Sequence, residues 1–182
     1  MTFQGLRAVA NFVSSEDQGV YWSATTKPIP ELTYAITSEL FKGGCRTLEM
    51  GIESIHNNYQ RLLCKVQPFK TIESVISAIL EAGITTVLNL IYGFPQQKED
   101  TAIKQLEWFL KWKKKYPSLV YGSHNMLEVN EGSLLSIYPK RFAIEMKELG
   151  HWAFSYTWNA PSWRPNFLEE MNQLLSKEEY TD

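Results

Sequence analysis

Cysteine is scarce in this sequence. Only two of its 182 residues, Cys45 and Cys64, carry a thiol. Two cysteines cannot form a disulfide framework, and they fall short of the three or four ligands that a zinc or iron–sulfur site usually takes. We therefore interpret both as structural thiols and predict no metal site in this chain alone.

The sequence also lacks an excess of charge and a long apolar run. Eighteen basic and 20 acidic residues give a formal net charge of −2, which offers no electrostatic basis for binding nucleic acid or an anionic membrane surface. The opening residues MTFQGLR match neither a signal peptide nor a transit peptide, and no apolar run approaches the ~20 residues of a membrane span. A cytoplasmic protein without a membrane partner is the default prediction.

The sequence is rich in segments whose apolar periodicity alternates between strand and helix. Helices are predicted at about 3–13, 30–42, 57–64, 71–82 with Thr71 as the cap, 98–116 and from 166 onward, and strands at 19–26, 46–53, 84–92 and 119–129. This alternation of strands and helices is typical of a parallel sheet or barrel, although a closed barrel usually has about eight strands. The prediction is an α/β fold with a partial parallel (β/α) barrel over residues 1–140.

Residues 141–182 are predicted to form an aromatic-rich C-terminal extension, irregular between 151 and 163. Two roles are open for its aromatic side chains. They could line a substrate channel, but a wrap that covers the barrel is the favoured interpretation. The residues concerned are Trp152, Phe154, Tyr156, Trp158 and Trp163.

Two of the predicted strands carry polar side chains where a sheet interior is expected. Period-two alternation puts Glu49 and Glu53 on the face opposite Leu48, Met50 and Ile52. In the strand at 84–92, Asn89 lies opposite Leu88 and Leu90, on the face of Val87, Ile91 and Gly93. Unpaired burial of such groups is costly, so this face is predicted to be polar, wet or filled by a ligand. Two alternatives remain open: the carboxylates pair with basic groups merely to hold the sheet, and Asn89 bonds a neighbouring strand.

The same segments resemble a known family. The stretch GGCRTLEMGIES at 43–54, LLCK at 62–65, AGI at 82–84 and NLIYGFP at 89–95 are similar to the radical S-adenosylmethionine (radical SAM) superfamily over about 21–138. The resemblance is stronger to the branch with the cobalamin-dependent enzymes, the methylthiotransferases and oxygen-independent coproporphyrinogen oxidase. It implies the C-terminal half of the core barrel, with S-adenosylmethionine lying across the strand ends.

The resemblance also implies roles for individual residues. Glu53 would contact the methionine or ribose part of the ligand, and Asn89 a ribose hydroxyl. Ile91 and Gly93 would lie beside the adenine, and Lys65 would contact the ligand carboxylate. With Glu49 on the same face, the predicted cofactor-binding residues are Glu49, Glu53, Lys65, Asn89, Ile91 and Gly93.

One feature of the family is missing. Its chemistry uses a [4Fe–4S] cluster, held by three cysteines in a CxxxCxxC loop, to form a 5′-deoxyadenosyl radical from S-adenosylmethionine, and this sequence has no such loop. We therefore expect the cluster on a missing N-terminal half, supplied by an upstream segment or a partner chain, with cobalamin as a further cofactor that the full system can use. The alternative is a non-catalytic α/β binding module, or a remnant that functions without a cluster.

Overall fold

A computed structural model of the chain describes residues 1–16, 19–65, 67–149 and 155–179. The helices are α1 (Phe3–Glu16), α2 (Tyr34–Lys42), α3 (Asn57–Leu62), α4 (Phe69–Glu81), α5 (Glu99–Lys115), α6 (Leu134–Ile137) and α7 (Arg164–Glu179), with a 3-10 turn at Pro139–Phe142. The strands are β1 (Trp22–Thr26), β2 (Cys45–Glu53), β3 (Thr85–Tyr92), β4 (Leu119–Met126), β5 (Val129–Asn130), β6 (Met146–Leu149) and β7 (Ser155–Trp158).

The first four strands form one sheet in the order β1-β2-β3-β4. The pairs β1/β2 and β2/β3 are parallel. Helix α2 connects β1 to β2, and α3 and α4 connect β2 to β3. Helical crossovers of this kind are what parallel neighbours require. The predicted α/β fold class with a parallel sheet is confirmed.

Strand alternation separates an apolar face from a polar one. Leu48, Met50, Leu88 and Leu90 are fully buried, whereas their neighbours in β2 and β3 on the other face are half-exposed. Ile72, Val75, Ile76 and Ile79, which lie at helical spacing on α4, are also buried. Thr37 of α2 donates a hydrogen bond of 2.8 Å to the carbonyl of Ala78 in α4. The predicted assignment of faces is therefore confirmed.

The chain divides into two compact units. The first comprises Met1–Leu90 and Phe109–His124, and the second comprises Ile91–Trp108 and Asn125–Asp182. The second unit contains a three-stranded sheet in the order β5-β7-β6, in which both pairs are antiparallel. The sequence-based division at residue 140 stays a prediction.

Two local predictions are wrong. Thr71 does not cap α4, because that helix already begins at Phe69, after Pro68, whose restricted φ suits a position at the start of a helix. Residues 155–158 are not irregular, because antiparallel pairing with β5 and β6 makes them a strand. Trp152 and Phe154 lie outside the described residues.

Candidate functional site

The centre of the candidate site is a hydrogen bond between two adjacent strands of the first unit. Gly51 of β2 is the register partner of Asn89 in β3, and Asn89 Nδ2 donates to Glu49 Oε1 at 2.7 Å. On the other side, Thr25 Oγ1 of β1 donates to Glu49 Oε2 at 3.4 Å. Three parallel strands thus place an acceptor-rich strip on the half-exposed face of the sheet. The prediction that Glu49 and Asn89 share this face is confirmed, and Asn89 does bond a neighbouring strand.

Glu53 ends β2 in an unusual backbone conformation. Its φ is +60°, and the register of β2 against β3 shifts between Gly51 and Glu53. A positive φ is uncommon for a residue with a side chain and is found mainly where the surrounding structure enforces it. The conformation turns the carboxylate back along the strand, because a Cβ built on Gly51 would lie 2.6 Å from Glu53 Oε1. Glu53 therefore lies over Gly51, on the Asn89 face.

Lys65 completes an ion pair over the same glycine. Its Nζ contacts Glu53 Oε1 and donates to the Gly51 carbonyl at 3.4 Å. The Glu53 side chain is 15% exposed and that of Lys65 is 36% exposed. The alternative that Glu53 pairs with a basic group is thus realised in the structure. Because a larger residue would collide with the pair, the position of Gly51 is part of the site.

The loop that presents Lys65 is organised by a buried glutamine. Gln60 of α3 is 1% exposed; its Nε2 donates to the Ser54 carbonyl at 2.7 Å and its Oε1 accepts from the Gln67 N–H at 3.0 Å. Its backbone carbonyl accepts from the Lys65 N–H at 2.8 Å. The sequence analysis missed Gln60, because one glutamine on a short helix carries no distinctive signal. Beside it is a cavity of about 180 Å³ bordered by Gly51, Gln60 and Lys65.

A second glycine bounds the strip on the far side of Asn89. A Cβ built on Gly122 of β4 would collide with Asn89 Oδ1 and would lie 2.6 Å from Val87 Cγ1. Asn89 therefore has a glycine on each flanking strand, and side chains of this chain lie over both of them: its own amide over Gly122, and the Glu53 carboxylate over Gly51. Sequence reasoning also missed Gly122, although a glycine inside a strand is a known signal for such approach.

Ile91 and Gly93 belong to the second unit. The Ile91 carbonyl accepts from Gln105 Nε2 at 3.0 Å. Gly93 has φ +75°, and its N–H donates to Gln97 Oε1 at 2.6 Å. Arg164 lies against Gly93, with Nε 2.8 Å from where a Cβ would be. The adenine contacts predicted for Ile91 and Gly93 stay predictions.

The two thiols differ in their surroundings. Cys45 is fully buried, and this burial raises the pKa of its thiol from 9.0 to about 11, whereas Cys64 is exposed. Within the described ranges, no group of three or more His, Cys, Asp or Glu side chains could hold a metal ion. No helix in the described part of the chain is long and apolar enough to cross a membrane.

No family model matches the sequence, and curated relatives from two strains of one bacterium match part of it. A stretch of 73 residues is 32% identical to oxygen-independent coproporphyrinogen III oxidase from Helicobacter pylori. The match covers 40% of this chain and 16% of that protein.

Solved structures share the fold over most of the chain. Coproporphyrinogen III oxidase (HemN) from Escherichia coli, a radical SAM enzyme, has a TM-score of 0.56 at 21% identity. The match covers 87% of this chain and 32% of the HemN chain. The radical SAM methyltransferase TsrM from Kitasatospora setae, solved with its tryptophan substrate and a SAM analogue, has a TM-score of 0.64 at 14% identity. The match covers 95% of this chain and 39% of the TsrM chain. A second TsrM structure contains cobalamin and a [4Fe–4S] cluster. It has a TM-score of 0.52 at 20% identity, and the match covers 69% of this chain and 24% of that TsrM chain.

These likenesses confirm the resemblance to radical SAM enzymes in fold and, over the 73-residue stretch, in sequence. The chain spans 16% of the curated relative, 32% of the HemN chain and 39% of the TsrM chain. It corresponds to a part of each of these proteins.

Proposed function

We propose, from this likeness to radical SAM enzymes, that the chain supplies the part of a partial barrel that binds S-adenosylmethionine. The observation that carries the proposal is the Glu49–Asn89 hydrogen bond on a strip bounded by Gly51 and Gly122. Carboxylate and amide groups are suited to ribose hydroxyls, since they supply both acceptors and donors. The two glycines let the side chains of Glu53 and Asn89 lie directly over the strand backbone, which holds these groups in the strip.

The proposed contacts divide the ligand between the predicted residues. Asn89 and Glu49 bond ribose hydroxyls, and Glu53 contacts the methionine or ribose part. Lys65 contacts the ligand carboxylate. Because its ammonium group already pairs with Glu53, it then contacts both carboxylates. Ile91 and Gly93 pass the adenine. These residues position the ligand, and none of them is assigned a proton transfer.

The residues of this chain do not fit the [4Fe–4S] cluster that the family uses. The cluster takes three cysteine ligands, and this chain has two cysteines, of which Cys45 is buried and Cys64 is exposed. Cys64 would be one ligand where three are needed. We therefore propose that a partner chain or another segment carries the cluster loop, and that the assembled protein, which can include cobalamin, generates a 5′-deoxyadenosyl radical for an unknown substrate in the cytoplasm.

One observation favours a second function, that of a non-catalytic α/β binding module. The polar groups of the strip satisfy one another without a ligand: Glu53 pairs with Lys65, and Glu49 accepts from Asn89 and Thr25. Such a strip can hold a sheet together with no chemistry. Binding of S-adenosylmethionine separates the two functions.

The test is a titration of S-adenosylmethionine into the full chain, followed by calorimetry. We expect saturable binding that Asn89→Leu weakens about two- to tenfold, the loss of one hydrogen bond. Asn166→Leu, at an exposed position on α7, is the matched control and should bind as the unmodified chain does. No saturable binding, or equal affinity in Asn89→Leu, would favour the module without a nucleoside ligand.

A further inference from the structure

Arg164, the first residue of α7, is a half-buried cation without an ion-pair partner among the described residues. In that part of the chain its guanidinium donates one hydrogen bond, from Nη2 to the Leu127 carbonyl at 3.0 Å. It also lies 5.5 Å from the centre of the Trp158 ring. Burial lowers the pKa of Arg164, and the through-space charge of Glu128 opposes this effect. A guanidinium has five N–H donors, so most of its hydrogen-bonding capacity is not met by the described protein groups.

The arginine borders an apolar cavity. The cavity has a volume of about 490 Å³, which lies in the range of small-molecule sites. Arg164 is the charged residue of its lining, and the remaining residues are Met126, Ala160, Pro161, Ser162, Pro165 and Leu168. The cavity is an apolar depression open to solvent with one cation in its lining, and it is complementary to an apolar molecule that carries one negative group.

The stem of Arg164 is held in place. It lies against Gly93, where a Cβ would be 2.8 Å from its Nε and 3.2 Å from its Cγ. Gly93 is itself fixed, because its N–H donates to Gln97 Oε1 at 2.6 Å and its φ is +75°. A guanidinium fixed in this way loses little further freedom when it binds an anion, which favours recognition.

We propose that this cavity binds a small molecule with an apolar body and a carboxylate, and that Arg164 holds the carboxylate. Planar guanidinium and carboxylate groups match in geometry, and their charge-assisted hydrogen bonds are stronger than neutral ones. All the residues concerned belong to the second unit. The proposal does not depend on nucleoside binding by the first unit, and its test contains no S-adenosylmethionine.

The test compares two probes of nearly equal shape by ligand-observed NMR on the full chain: 4-phenylbutyrate and its neutral amide, 4-phenylbutyramide. The carboxylate should bind about tenfold more tightly than the amide, the effect of one charge-assisted contact. Arg164→Gln should lower carboxylate affinity to that of the amide and leave the amide unchanged, and Arg164→Lys should keep part of the preference. Arg141→Gln, which removes an exposed arginine of the same unit, is the control and should keep all of it.

Equal affinity of the two probes for the unmodified chain would overturn the proposal. So would an equal loss of preference in Arg141→Gln, which would indicate general charge attraction, or the absence of saturable binding. Leu168→Ser addresses the apolar wall separately, and it should weaken both probes to the same degree. If Arg164→Gln fails to fold, Arg164→Lys and Leu168→Ser still decide between the outcomes.

Discussion

Glu53 lies over Gly51, so closely that a Cβ on the glycine would be 2.6 Å from the Glu53 carboxylate oxygen. The same Cβ would be 3.2 Å from Lys65 Nζ. The ion pair at the end of β2 therefore depends on a residue without a side chain. Gly51 has no positive φ, so its requirement is for space and not for backbone freedom.

This relationship predicts the effect of Gly51→Ala. The new methyl group should displace Glu53 and separate it from Lys65, and we expect the free energy of unfolding to fall by about 1–3 kcal/mol, as for overpacking at a filled site. The measurement is chemical denaturation of a double-mutant cycle. In a Glu53→Ala background, the alanine at position 51 should cost clearly less, because the group that it displaces is gone. Equal costs in both backgrounds would contradict the prediction.

A second prediction concerns Gln97, which is 3% exposed. Its Oε1 accepts hydrogen bonds from the N–H groups of Gly93 and Phe94, at 2.6 and 3.1 Å. Gln97→Met would leave two buried donors unpaired, so we expect a loss of about 2–4 kcal/mol in denaturation experiments. Gln97→Glu keeps the acceptor and should cost less than Gln97→Met.

The matched control is Gln96→Met, at the exposed neighbouring position, which should stay within about 0.5 kcal/mol of the unmodified chain. Gln97 Nε2 has no hydrogen-bond partner among the described residues. A smaller effect for Gln97→Met than for Gln96→Met would show that the oxygen of Gln97 does not support the turn.

The polar strip could be predicted from sequence because strand alternation is a local property. Once 46–53 and 84–92 are strands of one sheet that bury Leu48 and Leu88 on the same face, alternation puts Glu49 and Asn89 together on the other face. Their direct contact follows from the parallel register that pairs Gly51 with Asn89. The helical connection between the two strands makes that parallel pairing the expected one.

Features that depend on distant contacts could not be predicted. Lys65 reaches Glu53 because Gln60 organises the intervening loop, and no local pattern marks that arrangement. The register shift before Glu53, with its positive φ, is likewise a tertiary effect. Residues 155–158 become a strand through pairing with β5 and β6. Strand β5 is distant in sequence and has two residues, and β6 has four, so neither is long enough to show a clear periodicity.

A third prediction follows from the buried thiol of Cys45. Burial raises its pKa from 9.0 to about 11, so the unfolded chain releases this proton at a lower pH than the folded chain. The folded state therefore loses stability as pH rises above about 9, and the loss levels off above about 11. Between pH 8 and 10.5, the unmodified chain should lose about 2 kcal/mol more than Cys45→Ala, in which this titration is absent. Parallel stability curves for the two proteins would contradict this.

The same burial predicts selective alkylation. At pH 8 iodoacetamide should modify Cys64, which is exposed, and leave Cys45 unmodified until the chain is unfolded. Mass spectrometry of the intact and the digested chain reports both sites. Modification of Cys45 in the folded chain, at a rate close to that of Cys64, would show that its thiol is accessible.

The last prediction is that this chain alone does not assemble a radical SAM cluster. A site-differentiated [4Fe–4S] cluster needs three thiolates close together, and the chain offers one buried thiol and one exposed thiol. Anaerobic reconstitution with iron and sulfide should therefore give no stoichiometric cluster by iron and sulfide analysis and no 5′-deoxyadenosine from S-adenosylmethionine. A Cys45→Ala/Cys64→Ala variant should give the same background.

Addition of a partner chain with a CxxxCxxC loop should produce both the cluster and 5′-deoxyadenosine, and the amount of 5′-deoxyadenosine should fall when Asn89→Leu replaces the unmodified chain. A stoichiometric cluster with deoxyadenosine formation by the chain alone would refute the proposal that the cluster loop is supplied from elsewhere.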